Sequence, residues 1–404
     1  MTLHRNAVFF ASGLMASAIV CAAAVWAEDR PGQRFSVSPA SLPAPYATPG
    51  VDNHSTVIAR PDGALPQVPK GFVAEPYVTG LSNPRFMALG PNGDVFLTEA
   101  SAGKVTVIRG GKAFPFATDF KAPSGIAFHD GVLYVGDLVA VWRVEIKDGK
   151  AGARKRVTVD DFGGMGGHST RDIAFGPDGT LYLAIGSASN VSEEKLPRAS
   201  VQVVDKAGHL KTFASGTRNP VGIGIYPGTN NLYVTVNERD GLGDGLPPDY
   251  FTLLKQGDFL GWPYAYIGKH PDPEFGSKRS DLVAKTKTPD TLFQAHSAPL
   301  ALAFYEGSQF PAEYKGNAFV ALHGSWDAAK ATGYKVVRIK FAGGKPENAY
   351  ENFVTGFWSL GSEPPKVWGR PAGLLVDKDG SLLIADDAGK TVWRVRYEGI
   401  QSGR

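Results

Sequence analysis

Sulfur is scarce in this sequence. Its 404 residues include four methionines and one cysteine, Cys21. A single thiol excludes an internal disulfide framework and a Cys-x-x-Cys-His haem attachment. Charge of one sign is also missing: 42 basic residues face 39 acidic ones, a net charge of +3. That balance argues against nucleic acid or an anionic membrane surface as a partner. After the first 27 residues no run is long and apolar enough to cross a bilayer. No Gly-x-Gly-x-x-Gly follows a strand pattern, and there is no Walker loop, His-Glu-x-x-His or Gly-x-Ser-x-Gly. The common nucleotide-binding, zinc-peptidase and serine-hydrolase signatures are therefore absent. No sustained period of 3.6 residues appears after the opening segment, which disfavours a helical fold.

Turn residues, by contrast, are plentiful, with 49 glycines and 29 prolines, and 43% of the chain is apolar. This suits many short strands around a large core. Residues 1–27 have the form of an export signal: His4 and Arg5, an apolar stretch from Ala7 to Val25, then Val25-Trp26-Ala27 as a cleavage site. Export and cleavage there would leave a periplasmic or secreted chain without cysteine and without a stable membrane span. An uncleaved anchor is the alternative. Residues 28–70, rich in Pro, Ala and Ser, read as an extended arm or linker. The patterned domain runs over 71–398.

One phrase recurs in that domain: an apolar strand, a glycine turn, and an alternating strand. The turn glycines are Gly93, Gly131, Gly179, Gly228, Gly316 and Gly380. Asn-Gly or Asp-Gly between alternating apolar runs is a strong hairpin signal. Six such units, spaced mostly by about one blade, predict an all-β six-bladed β-propeller. Its site would lie at one end of the central channel, where loops distant in sequence converge.

Five stretches carry unusual polar residues. Gly163-Gly164-Met165-Gly166-Gly167 delivers His168 just before a strand, where a neutral imidazole suits a general base. A turn histidine bonding a carbonyl is the alternative. Arg218 and Asn219, in Gly216-Thr217-Arg218-Asn219-Pro220, offer a donor fork for carboxylate or quinone oxygens. Asp240 and Gly241, in Asn237-Glu238-Arg239-Asp240-Gly241, provide oxygen ligands of the kind calcium takes. His323-Gly324-Ser325-Trp326-Asp327 and Lys366-Val367-Trp368-Gly369-Arg370 bring tryptophans able to stack on a flat ring or a sugar, or to pack between blades. His129, His209, His270 and His296 receive no role.

Together and in this order, these motifs resemble the soluble quinoprotein sugar dehydrogenases, the glucose/sorbosone dehydrogenase superfamily. The L-sorbosone dehydrogenase-like branch is the most similar. The resemblance covers roughly residues 71–398. It implies pyrroloquinoline quinone (PQQ) and Ca2+ as cofactors and an aldose or sugar-derived aldehyde as substrate. Electrons would pass on to a respiratory acceptor. His168 would take the substrate hydroxyl proton, with Arg218 and Asn219 beside the quinone oxygens. Backbone carbonyls of Asp240 and Gly241 would ligate calcium, and Arg370 would pair with a cofactor carboxylate. Trp368 and Lys366, or Lys335, would complete the cofactor pocket. Gly167 stands where glucose-oxidising members carry an acidic residue, so the substrate expected is one other than glucose. A calcium-dependent lactonase-type hydrolase and a non-catalytic binding propeller are the competing functions.

Overall fold

The computed structural model describes residues 29–359 and 361–399. The export signal expected over 1–27 lies outside the described residues. The all-β expectation holds: among the described residues the one α-helix is Ser280–Lys285. Six antiparallel sheets of at least four strands carry the fold. The first holds Pro84–Leu89, Val95–Glu99, Lys104–Arg109 and Lys112–Ala117. The second runs Gly125–His129, Val132–Gly136, Val141–Lys147 and Lys150–Arg156. The third runs Ile173–Phe175, Leu181–Ile185, Ser200–Val204 and Leu210–Ser215. The fourth takes Asn219–Ile225, Leu232–Asn237, Pro248–Leu254 and Thr291–Ala295. The fifth takes Pro299–Phe304, Ala318–Leu322, Lys335–Ile339 and Tyr350–Val354, with Arg34–Phe35 added at its edge. The sixth takes Pro371–Val376, Leu382–Asp386 and Thr391–Tyr397, and its fourth strand is Phe72–Thr79 from the other end of the chain.

The first strand of each sheet lies against the first strand of the next, and that of the sixth against that of the first. Glycine makes this approach possible. A Cβ on Gly125 would sit 2.2 Å from the Arg171 carbonyl, one on Gly222 2.3 Å from the Leu300 carbonyl, and one on Gly373 1.9 Å from the Arg85 carbonyl. Buried threonines stitch the same seams. Thr98 Oγ1 donates to the Ser124 carbonyl at 2.9 Å. Thr235 Oγ1 donates to the Leu300 carbonyl at 2.5 Å. Register shifts follow Pro84, Pro220, Pro299 and Pro371, where a missing N–H interrupts pairing at the start of a first strand.

The arm is extended, as its composition suggests, but it is tied down. Tyr46 N–H donates to the Leu242 carbonyl at 2.7 Å, and Thr48 Oγ1 accepts from the Asp244 N–H at 2.8 Å. Asn53 N–H donates to the Trp326 carbonyl at 2.7 Å. Thr56–Val57 pairs in parallel with Lys366–Val367. The arm thus bridges loops of the fourth and fifth sheets and the segment that leads to the sixth.

Gly373→Ala tests the seam. We expect a loss of about 1–3 kcal/mol in chemical unfolding, because the new methyl has no room. Gly166→Ala, where a Cβ meets nothing within 4 Å, should stay within about 0.5 kcal/mol of the parent.

Candidate active site

In antiparallel sheets, the residues before each first strand and those between the second and third strands share one end. That end collects His168, Arg171, Arg218, His296 and Arg370 from the first group. Ser187, Asn190, Asp240, His323, Asp327 and Asp387 come from the second.

The glycine loop is shaped by one side chain. Arg198, 5% exposed, donates from Nε to the Gly163 carbonyl at 3.0 Å and from Nη1 to the Gly186 carbonyl at 3.0 Å. Its Nη2 reaches the carbonyls of Gly164 at 2.9 Å and Gly166 at 2.7 Å. Gly167 has φ of +74°, and a Cβ there would lie 2.4 Å from Ala188 Cα, so the close packing of this loop requires glycine. Arg171, fully buried, donates from Nη1 to the carbonyls of His168 at 2.7 Å and Thr170 at 2.8 Å. Its Nε and Nη2 have no partner among the described residues.

His168 is held at both backbone and ring. Its N–H donates to the Ser187 carbonyl at 3.0 Å, and Nδ1 lies 2.9 Å from the same oxygen. A carbonyl only accepts, so Nδ1 carries the proton and Nε2 keeps its lone pair. Burial, reinforced by the Arg218 charge, pushes this imidazole down to about 4. It is neutral at neutral pH.

Arg218, 5% exposed, sits between the histidine and the acidic loop. Nε donates to the Asn190 carbonyl at 3.0 Å and Nη1 to the Glu238 carbonyl at 2.6 Å. Nη2 donates to Asn190 Oδ1 at 3.0 Å and pairs with Asp240 Oδ2 at 2.9 Å. The donor fork expected to face a cofactor is therefore engaged with the protein, and Arg218 organises the site. Asn190 links the two halves, since its Oδ1 also accepts from Asp240 N–H at 2.8 Å and its Nδ2 donates to the Asp240 carbonyl at 3.1 Å. Asn219 lies alongside: a Cβ on Gly186 would fall 2.5 Å from Asn219 Oδ1 and 2.6 Å from His168 Cβ. That buried Oδ1 has no hydrogen-bond partner among the described residues.

The acidic loop gathers carboxylates. Burial pushes Asp240 up to about 6 against the pull of Arg218, Glu238 up to about 8 and Asp249 up to about 7. Asp240, His296 and Asp327 place their ligand atoms within 4.8 Å of one another. The Asp240 carbonyl, expected as a calcium ligand, already accepts from Asn190 Nδ2 and from Arg239 Nε at 3.3 Å. Gly241 has φ of +87° with open space around it.

A second polar group lies at the sixth sheet. Arg370 donates from Nε to the His323 carbonyl at 3.1 Å and from Nη2 to the Gly324 carbonyl at 3.0 Å. His323 Nε2 meets Asp387 Oδ1 at 2.8 Å, and Arg85 pairs with Asp387 Oδ2 at 2.7 Å. Burial pushes His323 down to about 4, with Arg370 adding to the effect.

Three expected cofactor contacts are placed otherwise. Trp368 is 4% exposed and packs on Phe357 and Trp393 at ring distances of 5.4 and 5.9 Å, so its faces are spent on the core. Lys366 is exposed on the short strand that pairs with the arm. Lys335 is buried and committed to Asp29 at 3.1 Å and to the Phe35 ring. The exposed tryptophan is Trp326, 41% exposed and stacked on His54 of the arm at 5.1 Å.

Residues 135–330 match the glucose/sorbosone dehydrogenase family, and residues 271–398 match the TrAA12-like family. The glucose/sorbosone dehydrogenase pattern thus spans just under half of the chain, over its second to fifth sheets. A protein of unassigned function from Borreliella burgdorferi is 29% identical over 85% of this chain and 94% of its own length. A PQQ-dependent pyranose dehydrogenase from Coprinopsis cinerea is 26% identical over 70% of this chain, which spans about half (47%) of that protein. The solved PQQ domain of a C. cinerea pyranose dehydrogenase superposes with a TM-score of 0.69 at 20% identity, covering 86% of this chain and all of the domain. A Trichoderma reesei enzyme of family AA12 gives 0.68 at 20% identity, over 85% of this chain and all of its own. These likenesses establish a shared fold.

Sequence reasoning missed Arg198, Arg171, Asn190 and His296. Asn190 sits in a Ser-Ala-Ser-Asn stretch directly after a strand, and that small polar loop was the available signal. The arginines lie in unremarkable contexts.

Two outcomes follow. Arg198→Lys, which keeps the charge but cannot span four carbonyls, should cost about 2–4 kcal/mol in unfolding free energy and open the 163–167 loop to protease. The imidazole resonance of His168 should titrate near pH 4. Its ordinary value is about 6.5, so stability should be complete above that and fall as acid drives the unfolded chain alone to take a proton. His168→Gln should flatten this loss, read by unfolding at pH 7 and pH 5.

Proposed function

We propose that the chain is a six-bladed, closed β-propeller quinoprotein dehydrogenase, exported to the periplasm or beyond. Its substrate would be an aldose or a sugar-derived aldehyde of the sorbosone kind. One observation carries the reading: a neutral histidine, fixed through Nδ1 with Nε2 unprotonated, stands beside Arg218, which pairs with Asp240, and beside Arg171 and Arg198, whose guanidiniums have no carboxylate hydrogen-bond partner among the described residues. Arg171, Arg198 and Arg370 bond only carbonyls among the described residues. Their surplus positive charge, including the two orphaned nitrogens of Arg171, suits an anionic cofactor. PQQ carries three carboxylates and fits that field. Arg370 would hold one of them, while buried Arg171 and Arg198 would act through their charge. The names of the family and of the C. cinerea relative support the same cofactor.

PQQ, when bound, would supply the acceptor for one hydride, which carries both electrons of the oxidation. The chain's own part is acid–base and positional. His168 Nε2 takes the proton of the substrate hydroxyl, and the Ser187 carbonyl stabilises the imidazolium through Nδ1–H. Ser187 keeps the ring from turning, and Arg171 fixes the His168 backbone carbonyl. A group near pKa 4 is a weak base at pH 7, and an anionic cofactor corrects this by offsetting the neighbouring arginine charges. Trp326, exposed at the mouth, would give the sugar an apolar face. Calcium is the ion that the resemblance implies. The backbone carbonyls of Asp240 and Gly241 are oxygen donors suited to it, and a divalent ion there would act as a Lewis acid. A respiratory acceptor would take the electrons onward. The Asp240–His296–Asp327 group favours one other reading, a metal-dependent lactonase-type hydrolase.

The test is titration of purified protein with PQQ and calcium, followed by dye reduction on a panel of aldoses and aldehydes. We expect turnover with PQQ. We also expect a His168→Ala variant that still binds PQQ while losing about 10²–10⁴-fold in kcat, and a His168 resonance that moves above pH 4 on loading. Lactone hydrolysis without PQQ dependence would overturn the reading.

A further inference from the structure

We infer that the side chains of Asp240, His296 and Asp327 form a site for one divalent ion of borderline type, zinc or manganese, at the mouth beside Arg218. Their ligand atoms all lie within 4.8 Å of one another. Donors about 2.1 Å from a shared zinc ion lie up to roughly 4.2 Å apart, so closing on an ion needs only sub-ångström shifts.

The histidine is preset for this. His296 is 8% exposed, and its Nε2 lies 3.1 Å from the Gly243 carbonyl. Nε2–H donates there, so Nδ1 faces the two carboxylates; in the metal-free protein Asp327 holds this imidazole up to about 9, and a bound ion takes the place of the Nδ1 proton. Metal-bound histidines characteristically give their other N–H to a carbonyl in this way. Asp327 adds an independent sign. It is 7% exposed, and its Oδ2 lies 2.9 Å from His296 Nδ1 yet has no aligned hydrogen bond. Two buried polar atoms in contact, but not directed at each other, are arranged as neighbouring ligands of a third atom would be. Asp240 gives Oδ2 to Arg218, and its side chain is 21% exposed, which leaves the ion a path from solvent.

The three residues come from separate supports. Asp240 follows the second strand of the fourth sheet, His296 precedes the first strand of the fifth, and Asp327 lies in the fifth sheet's loop under the arm. The site is therefore held open by the fold and does not need the ion to gather it. Two carboxylates and a neutral imidazole balance a divalent charge. Calcium takes oxygen ligands almost exclusively, whereas imidazole with carboxylates suits zinc and manganese. This side-chain set is distinct from the backbone carbonyls that the resemblance implies for calcium.

The inference does not depend on the dehydrogenase reading, and its test uses neither PQQ nor sugar. Chelator-treated full-length protein is titrated calorimetrically with Zn2+, Mn2+ and Ca2+. We expect one equivalent of Zn2+ or Mn2+ to bind more tightly than Ca2+. His296→Gln and Asp327→Asn should each weaken binding by about 100-fold or more, with thermal melts of the metal-free variants confirming that they fold. Pulsed EPR of Mn2+ bound to the unaltered protein should show coupling to one imidazole nitrogen, an arm that holds if either variant misfolds. Tighter Ca2+ than Zn2+, no binding, or a Mn2+ signal without nitrogen coupling would overturn the inference.

Discussion

Hydrogen bonds from buried guanidiniums to backbone carbonyls hold the mouth of this protein together. Loops from separate sheets arrive there with carbonyls pointing inward, and each such group must find a donor when water is excluded. Arg198 serves Gly163, Gly164, Gly166 and Gly186. Arg171 serves His168 and Thr170, Arg218 serves Asn190 and Glu238, and Arg370 serves His323 and Gly324. The planar five-donor fork makes this possible, and a lysine ammonium would not span the same oxygens.

The consequence is electrostatic. Carbonyls satisfy the donors but do not cancel the charge, so a positive field builds on the His168 side. Across Arg218, the carboxyl groups of Asp240 and Asp327 lie together, near Glu238 and Asp249, whose burial favours their neutral forms. The mouth is therefore polarised, with an anion favoured beside the histidine and a cation favoured beside Asp240. The arm adds a mechanical tie over the acidic side through Tyr46, Thr48 and Asn53. A redox centre built from an anionic cofactor and a divalent ion would find each half already prepared.

The fold was legible in the sequence to the extent that hairpins are local. The glycine turns at 93, 131, 179, 228 and 380 sit between first and second strands as read; Asn-Gly or Asp-Gly fixes the geometry of four of them, and Pro227-Gly228 makes the turn in the fourth sheet. The arm's course was not legible, since its anchors are hydrogen bonds to residues nearly two hundred or more positions away, as with Thr48 and Asp244. His168, Arg218, Asn219 and Asp240 come together as the motifs suggested, because each flanks a strand end. Trp368 went astray for a reason common to tryptophan: whether an indole faces a ligand or a core depends on its sheet register and not on its neighbours in sequence. His296, passed over as one of several scattered histidines, acquires meaning only from the loop carrying Asp327, which folds over it.

The proposed reading is that this mouth oxidises a sugar carbon by coupling transfer of its hydroxyl proton to His168 with hydride loss from that carbon. Its most direct test is a single turnover of PQQ-loaded protein under anaerobic conditions, comparing an aldose with its C1-deuterated form. The account predicts that quinone absorbance bleaches at one equivalent of substrate and that deuterium slows the bleaching. Bleaching at the same rate with both isotopologues, or none with any aldose or aldehyde, would contradict it.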